Sequence, residues 1–141
     1  MDKGVIQYHF EELIKTLITL SSSADRQIYI IGMGHTGVEM VNDFDAYYRD
    51  FINHYLELGF LTLEQSKSLN KFNEYLDGIC NSQSDGFFYD RLEVKTNVIW
   101  EEIRTESKKL LMILNKDHLD IEVIREIKDN IEITKMKLIN T

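Results

Sequence analysis

The chain of 141 residues contains no proline, and this absence constrains its fold more than any other feature. Proline removes a backbone hydrogen-bond donor and clashes with the preceding helical turn. Its complete absence therefore favours long, uninterrupted helices. The length corresponds to about one domain, and 43% hydrophobic with 28% charged residues is the balance of an ordinary globular protein. We expect a single helical domain over residues 1–141.

Apolar periodicity and end signals place the first helices. Apolar residues recur every three or four positions from Val5 to Leu20, which is helical spacing. Ser21–Ser23 end this helix and offer an N-cap to a second segment, Ala24–Ile31. The pattern of this second segment leaves two alternatives open: a short helix, or a short strand over Gln27–Ile31.

The clearest predicted helix runs from Val38 to Leu58, with Gly59 in the usual position just after a helix end. Thr62 and Gln65 form a capping-box pattern that opens another helix, which runs to about Cys80. A polar loop is expected to follow this helix.

The structure of Phe87–Asn97 is not fixed by any pattern. Two further helices are predicted, over Val98–Leu114 and over His118–Leu138, with a turn at Asn115–Asp117 between them. The predicted fold is therefore all-α: a bundle of five to six mostly antiparallel helices around one core.

The acidic residues are unevenly distributed along the chain. The net charge is -8, and residues 32–90 carry ten acids and three bases, whereas residues 91–141 carry ten of each. Phosphate backbones would be repelled by the acidic region, which disfavours nucleic-acid binding. A basic protein partner would be attracted to it.

A helical projection of Val38–Leu58 separates an apolar face from an acidic face. The acidic face carries Glu39, Asp43, Asp50 and Glu57. A solvated helix surface and a partner-binding surface account for these acids equally well.

Asp45 falls within the apolar sector, where a carboxylate must be paired or hydrogen bonded. We expect Asp45 to cap a helix or to pair with a buried arginine such as Arg26, in preference to a catalytic role.

The segment Asp85–Asp90 joins acids to the aromatic run Phe-Phe-Tyr. Aromatic residues carry much of the binding energy of protein interfaces. We expect Phe87 or Phe88, or both, to enter the core and Tyr89 to remain exposed. Tyr89 and Asp90 are therefore added to the predicted partner-binding residues.

Residues 29–37 contain the pattern G-x-G-x-x-G before a helix. In dinucleotide-binding units this pattern follows a strand and lets a pyrophosphate approach the helix N-terminus. Here no second parallel strand is predicted, and acidic residues surround the loop. We interpret Gly32–Gly37 as a helix connection and expect no cofactor there.

No catalytic or metal site is predicted. The pairs His35 with Glu39 and Asp50 with His54 have helical i, i+4 spacing, but the further inward-facing ligand pairs of a di-metal bundle are missing. No serine or cysteine lies in a recognisable nucleophile turn with a nearby base.

Cys80 is the single cysteine. A lone thiol fits a reducing compartment, and we expect this one to be packed and unreactive.

The beginning of the chain lacks an apolar signal core, and no apolar run approaches the ~20 residues that span a bilayer. The sequence therefore predicts a cytoplasmic protein that does not enter a membrane.

Three segments together resemble a family of small helical bacterial proteins. They are Val38–Tyr47 with its Asp-Phe-Asp motif, Leu58–Gln65, and Trp100–Arg104 with the order Trp-Glu-Glu-Ile-Arg. The resemblance covers roughly residues 5–114, and the glycine loop departs from the family pattern. The family is similar to the immunity proteins that protect a bacterium from secreted toxins, such as the wall-associated toxins of Gram-positive bacteria. This resemblance implies an inhibitor without catalytic residues.

The first hypothesis is accordingly an immunity-type protein that binds and neutralises a cognate basic toxin domain, for example a nuclease, through its acidic surface. The alternative is a small cytoplasmic enzyme or ligand-binding protein with a pocket near Gly32–Gly37. A third possibility is a helical subunit that forms homo-oligomers through an apolar patch.

Overall fold

The computed structural model describes residues 2–141, and within them eight helices are followed by a β-hairpin. The helices are α1 (Lys3–Ser21), α2 (Ala24–Ile31), α3 (Thr36–Tyr48), α4 (Ile52–Glu57), α5 (Leu63–Ser82), α6 (Asp85–Tyr89), α7 (Arg91–Thr96) and α8 (Val98–Ile113); the strands are β1 (Leu119–Lys128) and β2 (Ile131–Asn140). The all-α prediction is wrong because the C-terminal segment forms a two-stranded antiparallel sheet.

The hairpin replaces the helix predicted over His118–Leu138. The chain reverses at Asp129 and Asn130, whose φ angles are both positive at 54° and 64°. Two consecutive positive φ angles are typical of the two-residue turn that best matches the twist of an antiparallel hairpin. Aspartate and asparagine tolerate this conformation better than most residues, so the turn residues fit the observed backbone.

The apolar spacing of this segment permits two interpretations. Ile121, Ile124 and Ile127 recur every three residues, which is compatible with a helix, whereas Leu119, Ile121 and Val123 alternate with period two. The structure follows the second pattern, with Ile121 buried and its two alternating neighbours half-buried against the helices. The β-branched residues that recur along both strands also favour sheet over helix.

The long helix predicted over Val38–Leu58 is divided by a turn into α3 and α4. In this turn the N–H of Phe51 donates to the carbonyl of Tyr48 at 3.2 Å, and not to Tyr47 four residues back. The hydroxyl of the buried Tyr55 donates to the carbonyl of Tyr47 instead, at 2.5 Å. Phe51 stacks on His9 of α1, with ring centroids 4.0 Å apart. The turn therefore exchanges helical hydrogen bonds for tertiary contacts.

Other local predictions are confirmed. Ser23 caps α2 as expected, and of the two alternatives left open for this segment the structure shows the helix. Thr62 and Gln65 form both hydrogen bonds of a capping box at the start of α5. Gly59 follows α4 with a positive φ of 77°, as expected for a residue just beyond a helix end.

Helix α1 lies in the middle of the core and packs against both α3 and α8. Its buried apolar side chains are Ile6, Phe10, Leu13, Ile14, Leu17, Ile18 and Leu20. Apolar burial of this extent is the main stabilising contribution to such a fold. No helix within residues 2–141 combines the length and the apolar character needed to cross a membrane.

Two arginine side chains connect the hairpin to α2 through ion pairs and hydrogen bonds. Arg26 pairs with Asp120 at 2.8 Å and donates to the carbonyl of Ile121 at 2.8 Å. Arg125 donates to the carbonyl of Ile30 at the C-terminal end of α2, at 3.2 Å, where a cation also interacts favourably with the helix dipole. Beyond these contacts the hairpin extends outward, and Ile127 near its tip is 81% exposed.

Candidate protein-binding surface

The structure does not place the four predicted acids in one stripe. Asp43 lies on the side of α3 that faces α1, near the Glu12 carboxylate, and Glu39 is one helical turn earlier, close enough for its charge to act on Asp43. Asp50 lies in the turn after α3, and Glu57 is at the end of α4, 3.7 Å from His54. The stripe is divided because the helix predicted to carry it is divided, so the angular relation between its two halves is lost.

The first acidic group consists of Glu12, Glu39 and Asp43, of which Glu12 and Asp43 border a narrow cleft of about 60 Å³ between α1, α2, α3 and β2. Although Asp43 retains solvent-accessible surface, its carboxyl is partly enclosed by this cleft. Burial, and then the negative charges of Glu39 and Glu12, raise the pKa of Asp43 to about 6. Desolvation and like charge both disfavour the ionised carboxylate.

A second acidic group surrounds Arg49. The carboxylate of Asp45 pairs with the Arg49 guanidinium at 2.7 Å. Asp77 of α5 and Asp50 add negative charge near the same guanidinium, and these carboxylates, led by the Asp45 hydrogen bond, raise the pKa of Arg49. One cation therefore faces three carboxylates, so the group carries an excess of negative charge.

The expectation for Asp45 is only partly met. It does pair with an arginine, but its side chain is 46% exposed and its partner is Arg49, one helical turn further along. Arg26, the partner expected from the sequence, pairs with Asp120 of the hairpin. The apolar sector that contains Asp45 therefore reaches the surface at this point.

An apolar recess of about 210 Å³ lies between α3, α5 and α6. Its lining consists of Val38, Val41, Asn42, Cys80, Phe88 and Tyr89. Burial raises the pKa of the Cys80 thiol, and the nearby charges of Asp77 and Asp45 raise it further. The second acidic group therefore lies beside this recess.

Tyr89 is one of the residues that line this recess. Its side chain is 52% exposed, and its ring contacts the edge of His35 with centroids 4.7 Å apart. Phe87, two residues earlier, is only 3% exposed and stacks on Trp100. Both expectations for this segment are confirmed: a phenylalanine enters the core and Tyr89 stays at the surface.

Asp90 has a local structural role in addition to any role in binding. Its carboxylate accepts a hydrogen bond from the N–H of Leu92 at 2.9 Å and so caps α7. Caps of this kind typically contribute ~1 kcal/mol to helix stability. A substitution of Asp90 would therefore disturb α7 as well as the charge of the surface.

The glycines of the G-x-G-x-x-G pattern connect and pack helices. The segment before them is the helix α2, not the strand that a dinucleotide-binding unit requires. Gly32 has a φ of 74° at the end of α2. A Cβ atom on Gly37 would lie 2.6 Å from the carbonyl oxygen of Phe88 and 2.9 Å from the Trp100 ring. Gly37 therefore permits α3 to approach α6 and α8 closely.

No cluster of three or more histidine, cysteine, aspartate or glutamate side chains suited to a metal ion occurs among residues 2–141. The His54 ring, which has i, i+4 spacing from Asp50, lies 3.7 Å from the Glu57 carboxylate. The expectations that the chain has no catalytic residue and needs no metal or cofactor stay predictions.

No protein-family model matches this chain, and comparisons with curated proteins and with solved structures also return no match. The resemblance to immunity proteins therefore stays a prediction from the sequence.

Sequence reasoning missed the recess and two acids from other helices, Glu12 near Asp43 and Asp77 near Arg49. One signal for the recess was present: Val38, Val41, Asn42 and Asp45 follow the i, i+3, i+4, i+7 spacing of one helix face. The contributions of Glu12 and Asp77 come from other helices and had no local signal, because they depend on how α1 and α5 pack against α3.

The packing role of Gly37 is tested by replacing it with alanine. The new Cβ would overlap the Phe88 carbonyl and the Trp100 ring, so we expect Gly37→Ala to lower the free energy of unfolding by about 1–3 kcal/mol. Gly78→Ala is the matched control, because the space around this exposed glycine of α5 is open; it should gain about 0.5–1 kcal/mol. Urea denaturation measures both, and equal effects would contradict the assigned role of Gly37.

The raised pKa of Asp43 predicts a pH-dependent stability. The folded protein binds this proton more tightly than the unfolded chain, so ionisation of Asp43 destabilises the fold as the pH rises from about 4 to about 6. Asp43→Asn should therefore be more stable than the wild type above pH 6, and the difference should disappear below pH 4.

The matched control is Asp120→Asn. Hydrogen bonds from Arg26 and Ile121 lower the pKa of Asp120 against the opposing effect of burial. Its ionised form therefore stabilises the fold, and this stabilisation is lost on acidification. Asp120→Asn should be less stable than the wild type at neutral pH and approach it in acid. Denaturation at several pH values would refute the Asp43 assignment if both variants lost stability at pH 7.

Proposed function

We propose that this chain is an immunity-type protein that acts in the cytoplasm and neutralises a basic toxin domain by binding it through the surface around Tyr89. The observation that carries the proposal is the position of this exposed aromatic in the lining of an apolar recess, with the Asp45 and Asp77 carboxylates near Cys80 of the same lining. An apolar centre with an aromatic anchor and a charged rim is the usual anatomy of a protein interface.

The distribution of charge supports a basic partner. Negative groups lie on both flanks of α3, with Glu39 and Asp43 on one side and the Arg49-centred group on the other. Such a field accelerates the approach of a positively charged domain and aligns it with the recess. In a toxin that cleaves nucleic acid, these carboxylates would occupy the cleft that normally receives phosphates.

The ligand-binding alternative near Gly32–Gly37 has less support. The Phe88 carbonyl and the Trp100 ring fill the space beside Gly37, and a Cβ on Gly34 would lie 2.5 Å from the Glu39 carboxylate. This carboxylate would oppose a pyrophosphate at the start of α3. Thermal-shift measurements with NAD and with divalent metals test this alternative, and a specific stabilisation by either would favour it over the immunity role.

The proposal is tested with the toxin domain encoded beside this chain, purified in a catalytically inactive form, by biolayer interferometry. Tyr89→Ala should weaken binding by about tenfold or more, mainly through faster dissociation, as truncation of a central aromatic anchor does. Tyr8→Ala is the matched control because Tyr8 has nearly the same exposure, 55%, on α1. Equal losses in the two variants would contradict the Tyr89 surface, and a chain with no toxin encoded beside it would contradict the immunity role.

The charges are tested separately through the association rate. The double substitution Asp45→Asn with Asp77→Asn should slow association at low salt, whereas Glu122→Gln with Glu126→Gln, an equal charge change on the hairpin, should not. The four acids predicted from the sequence are replaced together as Glu39→Gln, Asp43→Asn, Asp50→Asn and Glu57→Gln. An unchanged association rate would remove these four from the mechanism.

Homo-oligomerisation through the recess is distinguished by sedimentation at several protein concentrations. Self-association that Tyr89→Ala abolishes would assign the recess to a second copy of this chain. A concentration-independent monomer that binds the toxin domain would support the proposal.

A further inference from the structure

A groove between the start of α2 and the helices α7 and α8 has a charge opposite to that of the whole chain. It encloses about 430 Å³, and we call it the basic groove. Its cations are Lys95, Arg104 and Lys108, and Glu101 is the one acid in its lining. Hydroxyl groups of Ser21–Ser23 form the facing wall. A cationic pocket in a chain of net charge -8 requires an explanation.

Arg104 is the central cation of the basic groove. Its Nε donates to the side-chain oxygen of Gln27 at 3.1 Å, and its Nη2 donates to the carbonyl of Val94. Gln27 is fully buried and is itself held by a hydrogen bond to the carbonyl of Leu20 at 3.0 Å. These neutral acceptors fix the guanidinium in one orientation without neutralising it.

Arg104 also has no ionic partner. It is half-buried, and burial lowers the pKa of its guanidinium. Across residues 2–141 no carboxylate lies within 4.0 Å of it. A guanidinium carries five N–H donors, and the protein supplies acceptors for two of them. A partly desolvated cation with donors left over is costly unless an anion pairs with it.

Lys108 provides a second cation one helical turn after Arg104. Side chains four residues apart on a helix have Cβ atoms about 6 Å apart, so a tetrahedral anion can contact both. Lys108 also forms no ion pair within the described residues 2–141. The oxygen of Ser23 accepts from the N–H of Arg26 at 3.3 Å, which leaves its hydroxyl hydrogen free to donate into the groove.

A second cavity adjoins the basic groove across Ser21–Ser23 and Lys108. It encloses about 530 Å³, and its apolar lining consists of Ile18, Leu111, Met112 and Leu119. Arg26 and Asp120 in its wall are already paired with each other. Asp117 also lines this cavity. The apolar side chains of the lining offer space for an organic group beside Arg104 and Lys108.

We propose that the basic groove binds the phosphate group of a small phosphate monoester, whose organic part occupies the adjoining cavity. The fixed guanidinium fork matches two phosphate oxygens, and Lys108 adds a mobile point charge. Lys95 already pairs with Asp25 at 3.7 Å. Arg104 and Lys108 remain, opposed by Glu101, and a phosphate dianion balances them better than a single carboxylate does. The groove shares no residue with the recess around Tyr89, so this proposal stands independently of the toxin-binding role.

The test is a titration of the full chain with phenyl phosphate, followed by amide chemical shifts in NMR and by calorimetry. Shifts should concentrate at residues 21–24 and 104–108, and affinity should fall as salt is added. Affinity should also rise between pH 5 and pH 7, because the second pKa of a phosphate monoester is about 6. Inorganic phosphate should bind at the same residues but more weakly, and phenol should not shift residues 104–108.

Three variants separate the site from general charge effects. Lys108→Gln should weaken phenyl phosphate binding by roughly fivefold or more, and Arg104→Gln by about tenfold, the loss expected for a charge-assisted hydrogen bond. Lys109→Gln is the matched control, because Lys109 is the residue of α8 next to Lys108 but pairs with Glu106 at 3.3 Å. It should bind like the wild type. Since Arg104 also contacts Gln27 and Val94, Lys108→Gln is the variant that tests the site if Arg104→Gln fails to fold.

Specific outcomes would overturn the proposal. Absence of shifts at residues 104–108 at millimolar phenyl phosphate would exclude the site, and equal losses for Lys108→Gln and Lys109→Gln would reduce it to nonspecific attraction. Equal affinity for inorganic phosphate and phenyl phosphate would exclude the adjoining cavity as the place of the organic part.

Discussion

The burial of Trp100 fixes the part of the molecule on which the candidate binding surface depends. Its indole is fully buried and stacks on Phe87 with ring centroids 4.8 Å apart, while its Nε1 donates to the Phe87 carbonyl at 3.0 Å. The same ring lies against Gly37, so one side chain joins α8 to α6 and α3. A buried tryptophan contributes a large apolar contact area, and the hydrogen bond of its N–H fixes the orientation of the ring. Tyr89 follows Phe87 by two residues, and its exposure is a consequence of this internal anchor.

The elements that could be predicted from the sequence are those with local end signals. The capping box at Thr62 and the glycine after α4 lie within a few residues of the helix ends they define, and the periodicity of α1 is continuous. The hairpin had competing signals. Absence of proline permits strand ladders as readily as helices, because proline disrupts both. Ile121, Ile124 and Ile127 fit helical spacing, whereas Leu119, Ile121 and Val123 fit the period of a strand. The decisive signal was the pair Asp129–Asn130, which tolerates the two positive φ angles of a hairpin turn.

The binding surface likewise has one part that could be predicted from the sequence and one part that could not. The exposure of Tyr89 could be predicted from a run of three aromatics, since a loop-like segment cannot bury all of them. The predicted acidic stripe is absent from the structure, because the turn at residues 49–51 divides the helix that would carry it. This turn depends on the contacts of Tyr55 with α3 and of Phe51 with α1. A helical projection assumes an unbroken helix and contains no information about such contacts. The surface that replaces the stripe combines Asp45 with Asp77 of α5, and this combination exists only in the folded chain.

Net charge describes this molecule poorly because electrostatic interactions are local. At physiological ionic strength the field of an exposed charge decays over about 8 Å, so the acids beside α3 and the cations of the basic groove act on different ligands. The surplus of carboxylates disfavours a polynucleotide, which must contact an extended surface through many phosphates. It does not disfavour one phosphate group in a cavity of about 430 Å³, where Arg104 is partly shielded from solvent and from those carboxylates. A strongly acidic chain can therefore repel a nucleic acid and still offer a guanidinium fork to a small anion.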